Sequence, residues 1–253
     1  MAKTKYEVIE AGNPKAPPRS LIRVSGYRNL IASLDAFGPS TYKNNVVEMQ
    51  KPYSHPQTGK EISFREPTTA ESIIISAYDF AKRAKRQIFN PNWLQAGRIV
   101  RTSEGVYANP PKDEQGNFVV DERTLKSYLD GIKPMKVGNG KVWIVPDSRG
   151  LKDFGFAEYD SFKQGIYRDV GDFVEGGLAR VLEHSHSADN LGEIASEENY
   201  PEGVKVRGFD SVSNPILKVA ALYSGRDLGN DGLYVNGDGW LDGSLGFAFG
   251  VLD

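Results

Sequence analysis

A long amphipathic helix is the sequence feature that most constrains the fold of this chain. The segment from residue 68 to residue 89 reads TTAESIIISAYDFAKRAKRQIF. Its apolar or small residues recur at the spacing of one helix face, and they are Ala70, Ile73, Ile74, Ala77, Ala81, Ala84 and Ile88. Ile75 and Phe80 lie off this stripe. We therefore expect a helix from about 69 to 89 that is buried on more than one side and forms the centre of the core.

Both ends of this helix carry local signals. Thr68 and Glu71 have the spacing of a capping box, and Asn90-Pro91 predicts the C-terminal end because the residue before a proline disfavours helical geometry. Four basic residues lie in the last turns: Lys82, Arg83, Lys85 and Arg86. A cationic helix face can bind phosphates, so these four are the predicted nucleic-acid-binding residues. The alternative is a solvated face that complements the helix dipole.

Bulk composition sets broad limits on the kind of protein. The 253 residues are 39% hydrophobic and 25% charged, which suits one large domain or two small ones. The formal net charge of −2 indicates no overall attraction to nucleic acid or to an anionic membrane. Cysteine is absent, so disulfides and thiolate metal sites are excluded. With no apolar leader at the N-terminus and no apolar run of about 20 residues, we expect a soluble, cytoplasmic protein without a membrane partner.

The first 66 residues are polar and proline-rich, and they predict an extended, irregular N-terminal arm. Within the arm, residues 4–9 and 21–24 are candidate strands. The spacing of Leu30, Ile31 and Leu34 favours a helix over 27–37. Long segments without packing signals often bind partners, although they also wrap their own domain. The arm therefore suggests a protein or nucleic-acid partner.

Residues 67–253 predict a single α+β domain, with a mainly antiparallel sheet packed against two principal helices. The second of these helices spans about 172–184 and contains Gly176-Gly177, which favours a close approach to a sheet or to the first helix near Gly177. Gly138-Asn139-Gly140 is typical of a hairpin turn. The C-terminal residues 245–251 alternate large and small side chains, as an internal strand would.

The segment 183–189, EHSHSAD, is where potential metal ligands crowd together in the sequence. Glu183, His184, His186 and Asp189 offer imidazole and carboxylate ligands to a metal ion that would activate water. The spacing differs from the His-x-His-x-Asp-His pattern of metallo-β-lactamase-like hydrolases, because Ala188 stands where the aspartate belongs. The alternative is the C-terminal end of a helix, where histidine favours the dipole.

The aspartates and glycines of residues 227–243 resemble a calcium loop at first sight. An EF-hand alignment on Asp238-Gly239 places Tyr234 at the first ligand position and Leu245 at the closing glutamate. Short hairpin turns account for the same residues without an ion. We therefore interpret this region as turns between strands.

The nucleotide-binding and hydrolase motifs that depend on local spacing are absent from the sequence. From the arm and the basic helix face we predict a non-enzymatic binding or assembly protein with a macromolecular partner. The rival prediction is a metal-assisted hydrolase that uses Glu183, His184, His186 and Asp189. The sequence does not identify a cofactor.

Overall fold

A computed structural model describes residues 6–9, 21–24, 29–82, 93–197, 200, 202–224, 232–239 and 246–252, with backbone only for 6–9, 79–82, 93 and 197. The chain divides into two compact units. The first is Met1–Pro67 together with Leu241–Asp253, and the second is Thr68–Trp240. No helix in the described part of the chain combines the length and apolar character needed to cross a membrane.

The helices and strands follow one another in chain order. Up to residue 67 they are β1 (Tyr6–Ile9), β2 (Leu21–Val24), β3 (Leu30–Ser33), β4 (Phe37–Ser40), α1 (Tyr42–Met49), β5 (Tyr53–Ser54) and β6 (Glu61–Ile62). Residues 68–240 form α2 (Thr69–Lys82), β7 (Trp93–Arg101), β8 (Gly105–Ala108), α3 (Glu122–Ser127), β9 (Met135–Val137), β10 (Gly140–Ile144), β11 (Gly155–Glu158), β12 (Gly165–Tyr167), α4 (Val170–Val174), α5 (Gly177–Glu183), α6 (Asp189–Glu197), β13 (Val204–Arg207), β14 (Ile216–Ser224) and β15 (Leu233–Gly239). The C-terminal residues form β16 (Gly246–Ala248) and β17 (Val251–Leu252).

The first unit contains a four-stranded antiparallel sheet in the order β1-β2-β3-β17, and β16 pairs with β4. The helix predicted over 27–37 is wrong, since these residues include β3 and the start of β4. Leu30 and Ile31 belong to a short apolar run, which is compatible with either element. Pairing with β2 and with the distant β17 decides in favour of a strand. The arm predicted to be irregular therefore contains short strands whose partners lie far away in the sequence.

The second unit contains a mixed sheet in the order β12-β13-β15-β14-β7-β8-β11-β10-β9. Its strand pairs are antiparallel except for β13 and β15, which run parallel. The predicted α+β class with mainly antiparallel pairing is confirmed. The described residues form six α-helices across the two units, in place of two principal ones, and the helix predicted over 172–184 consists of α4 and α5. The chain leaves helical geometry at Gly176, which precedes α5 in an extended conformation with φ −69° and ψ 149°.

Helix α2 is buried within the second unit, as predicted. Ile73, Ile74 and Ile75 are all buried, so α2 is covered on more than one side. Its neighbours are α5, α6 and strand β7. Its predicted C-terminal extension, residues 83–89, lies outside the described residues. Because the helix is covered on more than one side, Ile75 is buried although it lies off the apolar stripe.

The sheet carries helices on both faces. Tyr107 stacks on Phe156 with ring centroids 4.2 Å apart, and both pack with Leu125 of α3. A side chain at Gly155, one residue before Phe156, would lie 3.6 Å from Val181 of α5. Because successive residues of a strand point to opposite faces, α3 and α5 cover opposite faces of β11. The loop between β10 and β11 and the turn after α5 contain the residues of the candidate site.

Candidate functional site

The basic helix face is only partly within the described residues. Lys82 is the last described residue of α2, and its side chain is not described. Arg83, Lys85 and Arg86 lie outside the described residues. Nucleic-acid binding by these four residues therefore stays a prediction.

The histidine-containing segment begins at the C-terminal end of α5. His184 follows the last helical residue, Glu183, and adopts the left-handed conformation with φ 50° and ψ 46°. Its backbone N–H still donates to helix carbonyl oxygens, which completes the C-cap. Because the chain turns sharply here, the side chains of Glu183 and His184 reach different surroundings.

The Glu183 carboxylate is buried and caps the start of α6. It accepts hydrogen bonds from the backbone N–H groups of Asn190 and Leu191, both at 3.0 Å, and from the side-chain amide of Asn190 at 2.6 Å. Burial raises the pKa of Glu183 to about 7, although these hydrogen bonds act in the opposite direction. Glu183 thus links the end of α5 to the beginning of α6.

His184 is the predicted ligand that meets other ligand-type side chains. Its Nδ1 lies 3.5 Å from Oδ1 of Asp153, and its Nε2 lies 2.9 Å from the carbonyl oxygen of Val145. His186 lies elsewhere, with Nδ1 2.8 Å from the sulfur of Met135, and Asp189 is exposed at the start of α6. Glu183, His184 and His186 therefore have different hydrogen-bond partners, and no hydrogen bond in the described part of the chain brings the four predicted ligands together. The hydrolase that would use all four stays a prediction.

A cluster of three side chains, Asp147, Asp153 and His184, forms where the loop after β10 meets the end of α5. Each side chain offers one ligand atom, and the three atoms all lie within 4.8 Å of one another. The backbone N–H of Asp153 donates to Oδ1 of Asp147 at 3.1 Å, which closes the loop upon itself. Asp153 is completely buried. Among the described residues, this cluster has the composition and spacing to hold a metal ion.

The surroundings of the cluster hold it in place. The hydroxyl group of Thr68, at the start of α2, donates to Oδ2 of Asp153. The side-chain amide of Asn109, which follows β8, donates to the carbonyl oxygen of Asp153 at 2.8 Å, and its Oδ1 accepts from the backbone N–H of Thr69 at 2.8 Å. Lys152 forms an ion pair with Glu71 at 2.7 Å. Three segments that are distant in sequence, residues 68–71, 109 and 152–153, are thereby tied together.

Unusual backbone geometry concentrates at the same place. Within the described residues, positive φ angles at non-glycine residues occur at Asn29, Asn109, Asp153 and His184. The last three of these belong to the cluster or contact it, with φ of 52°, 54° and 50°. Such conformations cost free energy and persist where the surrounding contacts impose them, as often happens at functional sites.

Sequence reasoning identified His184 but missed Asp147 and Asp153. These two aspartates lie more than 30 positions before His184, in the segment VPDSRGLKDF. The spacing matches no local ligand motif. The pairing of β10 with β11 and the packing of α5 against both strands bring the three residues together, so a search for short motifs has no signal to detect.

A second feature is an open concave surface between the β9–β10 turn, β12 and α4, which encloses a volume of about 670 Å³. Strand β12 occupies one end of the strand order, and no strand in the described part of the chain pairs with its outer edge. Ile166 on β12 is 62% exposed. The charged residues that line the surface are Asp160, Lys163, Arg168, Asp169, Asp172 and Glu175. We call this the β12 surface.

Comparison with models of known protein families, with curated proteins and with solved structures found no match to this chain.

Proposed function

We propose that this chain is a non-enzymatic binding or assembly protein whose partner is another protein. The observation that carries the proposal is the outer edge of β12, which adjoins a concave surface and presents the exposed side chain of Ile166. The backbone groups along a sheet edge can pair with an extended segment of another chain. A binding function was also the prediction drawn from the N-terminal arm.

The charge of the β12 surface favours one class of partner. Four acidic and two basic side chains line it, so the negative charges outnumber the positive ones. This balance disfavours a phosphate backbone and favours an extended peptide segment that carries lysine or arginine. Apolar side chains in the same segment would pack on Ile166, which is 62% exposed. The partner proposed for this surface is therefore a basic, extended protein segment.

Binding of two synthetic peptides tests this proposal. One peptide alternates lysine and valine, and the other alternates glutamate and valine, each with a fluorescent label for anisotropy measurements. The lysine peptide is expected to bind, and its affinity should decrease with added salt because the attraction is electrostatic. The glutamate peptide should not bind. Equal binding of both peptides, or of neither, would contradict the proposal.

Two variants locate the binding surface. Ile166→Lys removes the apolar contact and adds a charge that repels the lysine peptide, so binding should weaken by about tenfold or more. Ile216→Lys is the matched control, because Ile216 is also an exposed isoleucine of this unit, at the start of β14. If both variants bind as the wild type does, the peptide uses another surface and the assignment to β12 is wrong.

A further inference from the structure

We propose that Asp147, Asp153 and His184 bind a divalent transition-metal ion, with Zn²⁺ as the best fit. This inference is independent of the proposed function, because these three residues do not line the β12 surface. The two carboxylates and one imidazole form a ligand set suited to Zn²⁺.

The hydrogen bond of His184 determines which ring nitrogen would bind the metal. A carbonyl oxygen only accepts hydrogen bonds, so the contact of 2.9 Å to Val145 places a hydrogen on Nε2 of His184. In the neutral ring the lone pair then lies on Nδ1, the atom that faces Asp153. Metal-binding histidines commonly donate their other N–H to a backbone carbonyl in this way, which orients the ring.

The separation of Nδ1 and the Asp153 carboxylate also points to a metal. Nδ1 of His184 lies 3.5 Å from Oδ1 of Asp153. A direct hydrogen bond between an imidazolium and a carboxylate has a length of about 2.7–2.9 Å. Two ligand atoms that bind one tetrahedral Zn²⁺ at about 2.0–2.1 Å lie about 3.4 Å apart. The observed distance therefore fits two ligands of one ion, and the ligand atom of Asp147 lies within 4.8 Å of both.

The carboxylates of Asp153 and Asp147 would attract a divalent ion. Asp153 is completely buried, and Oδ1 of Asp147 is close enough to accept a hydrogen bond from the backbone of Asp153. A doubly positive ion would be attracted to both carboxylates, and the attraction is strong in a buried site. Thr68 supports the site from outside, since its hydroxyl group donates to the other carboxylate oxygen of Asp153.

The position of the site indicates what the metal would do. The His184 side chain is 8% exposed and Asp153 is fully buried, so the ion would be largely shielded from solvent. It would tie the loop after β10 to the end of α5 and, through Thr68, to the start of α2. A shielded site that joins distant segments stabilises the folded state, because binding free energy contributes to folding.

Titration of chelator-treated full-length protein with Co²⁺ and Zn²⁺ tests the site without reference to any activity. Co²⁺ should produce visible absorption bands of a site that contains nitrogen and oxygen ligands, and Zn²⁺ should displace it. Zn²⁺ should also raise the melting temperature. The absence of absorption bands and of any melting shift at millimolar metal would overturn the proposal.

Variants separate this site from adventitious binding by other histidines. Asp147→Asn retains the Oδ1 acceptor for the backbone of Asp153 but removes the charge, so its Zn²⁺ affinity should fall at least tenfold. His186→Gln and His55→Gln should bind Zn²⁺ as the wild type does. Unchanged affinity in Asp147→Asn, or a loss of binding in His186→Gln, would refute the assignment. Circular dichroism of the metal-free variants checks that each one is folded.

Discussion

Thr68 and Glu71 bind each other's backbone at the start of α2. The hydroxyl oxygen of Thr68 accepts a hydrogen bond from the N–H of Glu71 at 3.2 Å, and the carboxylate of Glu71 accepts one from the N–H of Thr68 at 2.9 Å. The same hydroxyl group donates to the buried carboxylate of Asp153. The N-terminus of the central helix and the candidate metal cluster therefore share one side chain.

The first prediction concerns this shared hydroxyl group. Thr68→Val keeps the size of the side chain but removes the cap and a donor to Asp153, so the free energy of unfolding should decrease by about 1–3 kcal/mol. Urea denaturation of the metal-free protein measures this change. Thr68→Ser keeps the hydroxyl group and should lose much less stability. Equal losses in the two variants would show that the hydroxyl group contributes no more to stability than the methyl group does.

The second prediction concerns the close approach at Gly177. A Cβ atom there would lie 2.1 Å from Oγ of Ser161 and 2.7 Å from Cγ2 of Val142. Gly177→Ala should therefore lower the free energy of unfolding by about 1–3 kcal/mol despite the higher helix propensity of alanine. Gly192→Ala on α6 is the control, since its Cβ would meet Val174 at 3.2 Å and should change the free energy of unfolding much less. Similar effects at both sites would contradict a packing constraint specific to Gly177.

The third prediction is a pH dependence of stability caused by Glu183. Its pKa of about 7 in the folded protein exceeds the ordinary value of 4.5, so the folded state binds more protons than the unfolded state between these two pH values. The contribution of Glu183 to stability is therefore fully present below pH 4.5 and is lost as the pH rises through about 7. The loss amounts to at most about 3–4 kcal/mol.

Comparison with Glu183→Gln isolates this contribution from those of other titrating groups. The variant should show a shallower decrease of the unfolding free energy between pH 4.5 and 7 than the wild type, both measured with chelator. Glu193→Gln, at an exposed position of α6, is the matched control and should keep the slope of the wild type. Parallel curves for the wild type and Glu183→Gln would show that Glu183 does not cause the pH dependence.

The fourth prediction concerns the C-terminal strand of the first unit. Val251 is buried, pairs with Ala32 of β3, and exchanges backbone hydrogen bonds with Arg65 at 2.9 and 3.1 Å. Deletion of residues 251–253 should therefore destabilise the first unit and make it sensitive to limited proteolysis. Leu252→Ser is the control, since Leu252 is only partly buried and the strand remains. A deletion variant that resists protease as the wild type does would contradict this prediction.

Local signals predicted several elements correctly. The capping box of α2 forms with the predicted partners, and Gly138-Asn139-Gly140 joins β9 to β10 as expected. The close approach predicted at Gly177 is confirmed by its contacts with Ser161 and with Val142 of the sheet. Each of these features depends on residues a few positions apart or on the absence of one side chain. Such features can be predicted from the sequence alone.

Elements that depend on distant partners were predicted less well. The apolar residues Leu30 and Ile31 suggested a helix, whereas pairing with β2 and β17 makes residues 30–33 a strand. The Gly176-Gly177 pair was expected within one helix, but the chain adopts an extended conformation at Gly176 and separates α4 from α5. In both places tertiary contacts outweigh a weak local preference.

The sequence by itself determined where α2 begins and which of its faces is apolar, because capping and periodicity act within a few residues. It also identified His184 as a candidate ligand. Only the tertiary structure decided that His184 meets Asp147 and Asp153, while the adjacent Glu183 caps α6 and His186 lies near Met135. The physical reason is that the left-handed turn at His184 and the pairing of β10 with β11 set the directions of these side chains, and neither depends on their spacing in the sequence.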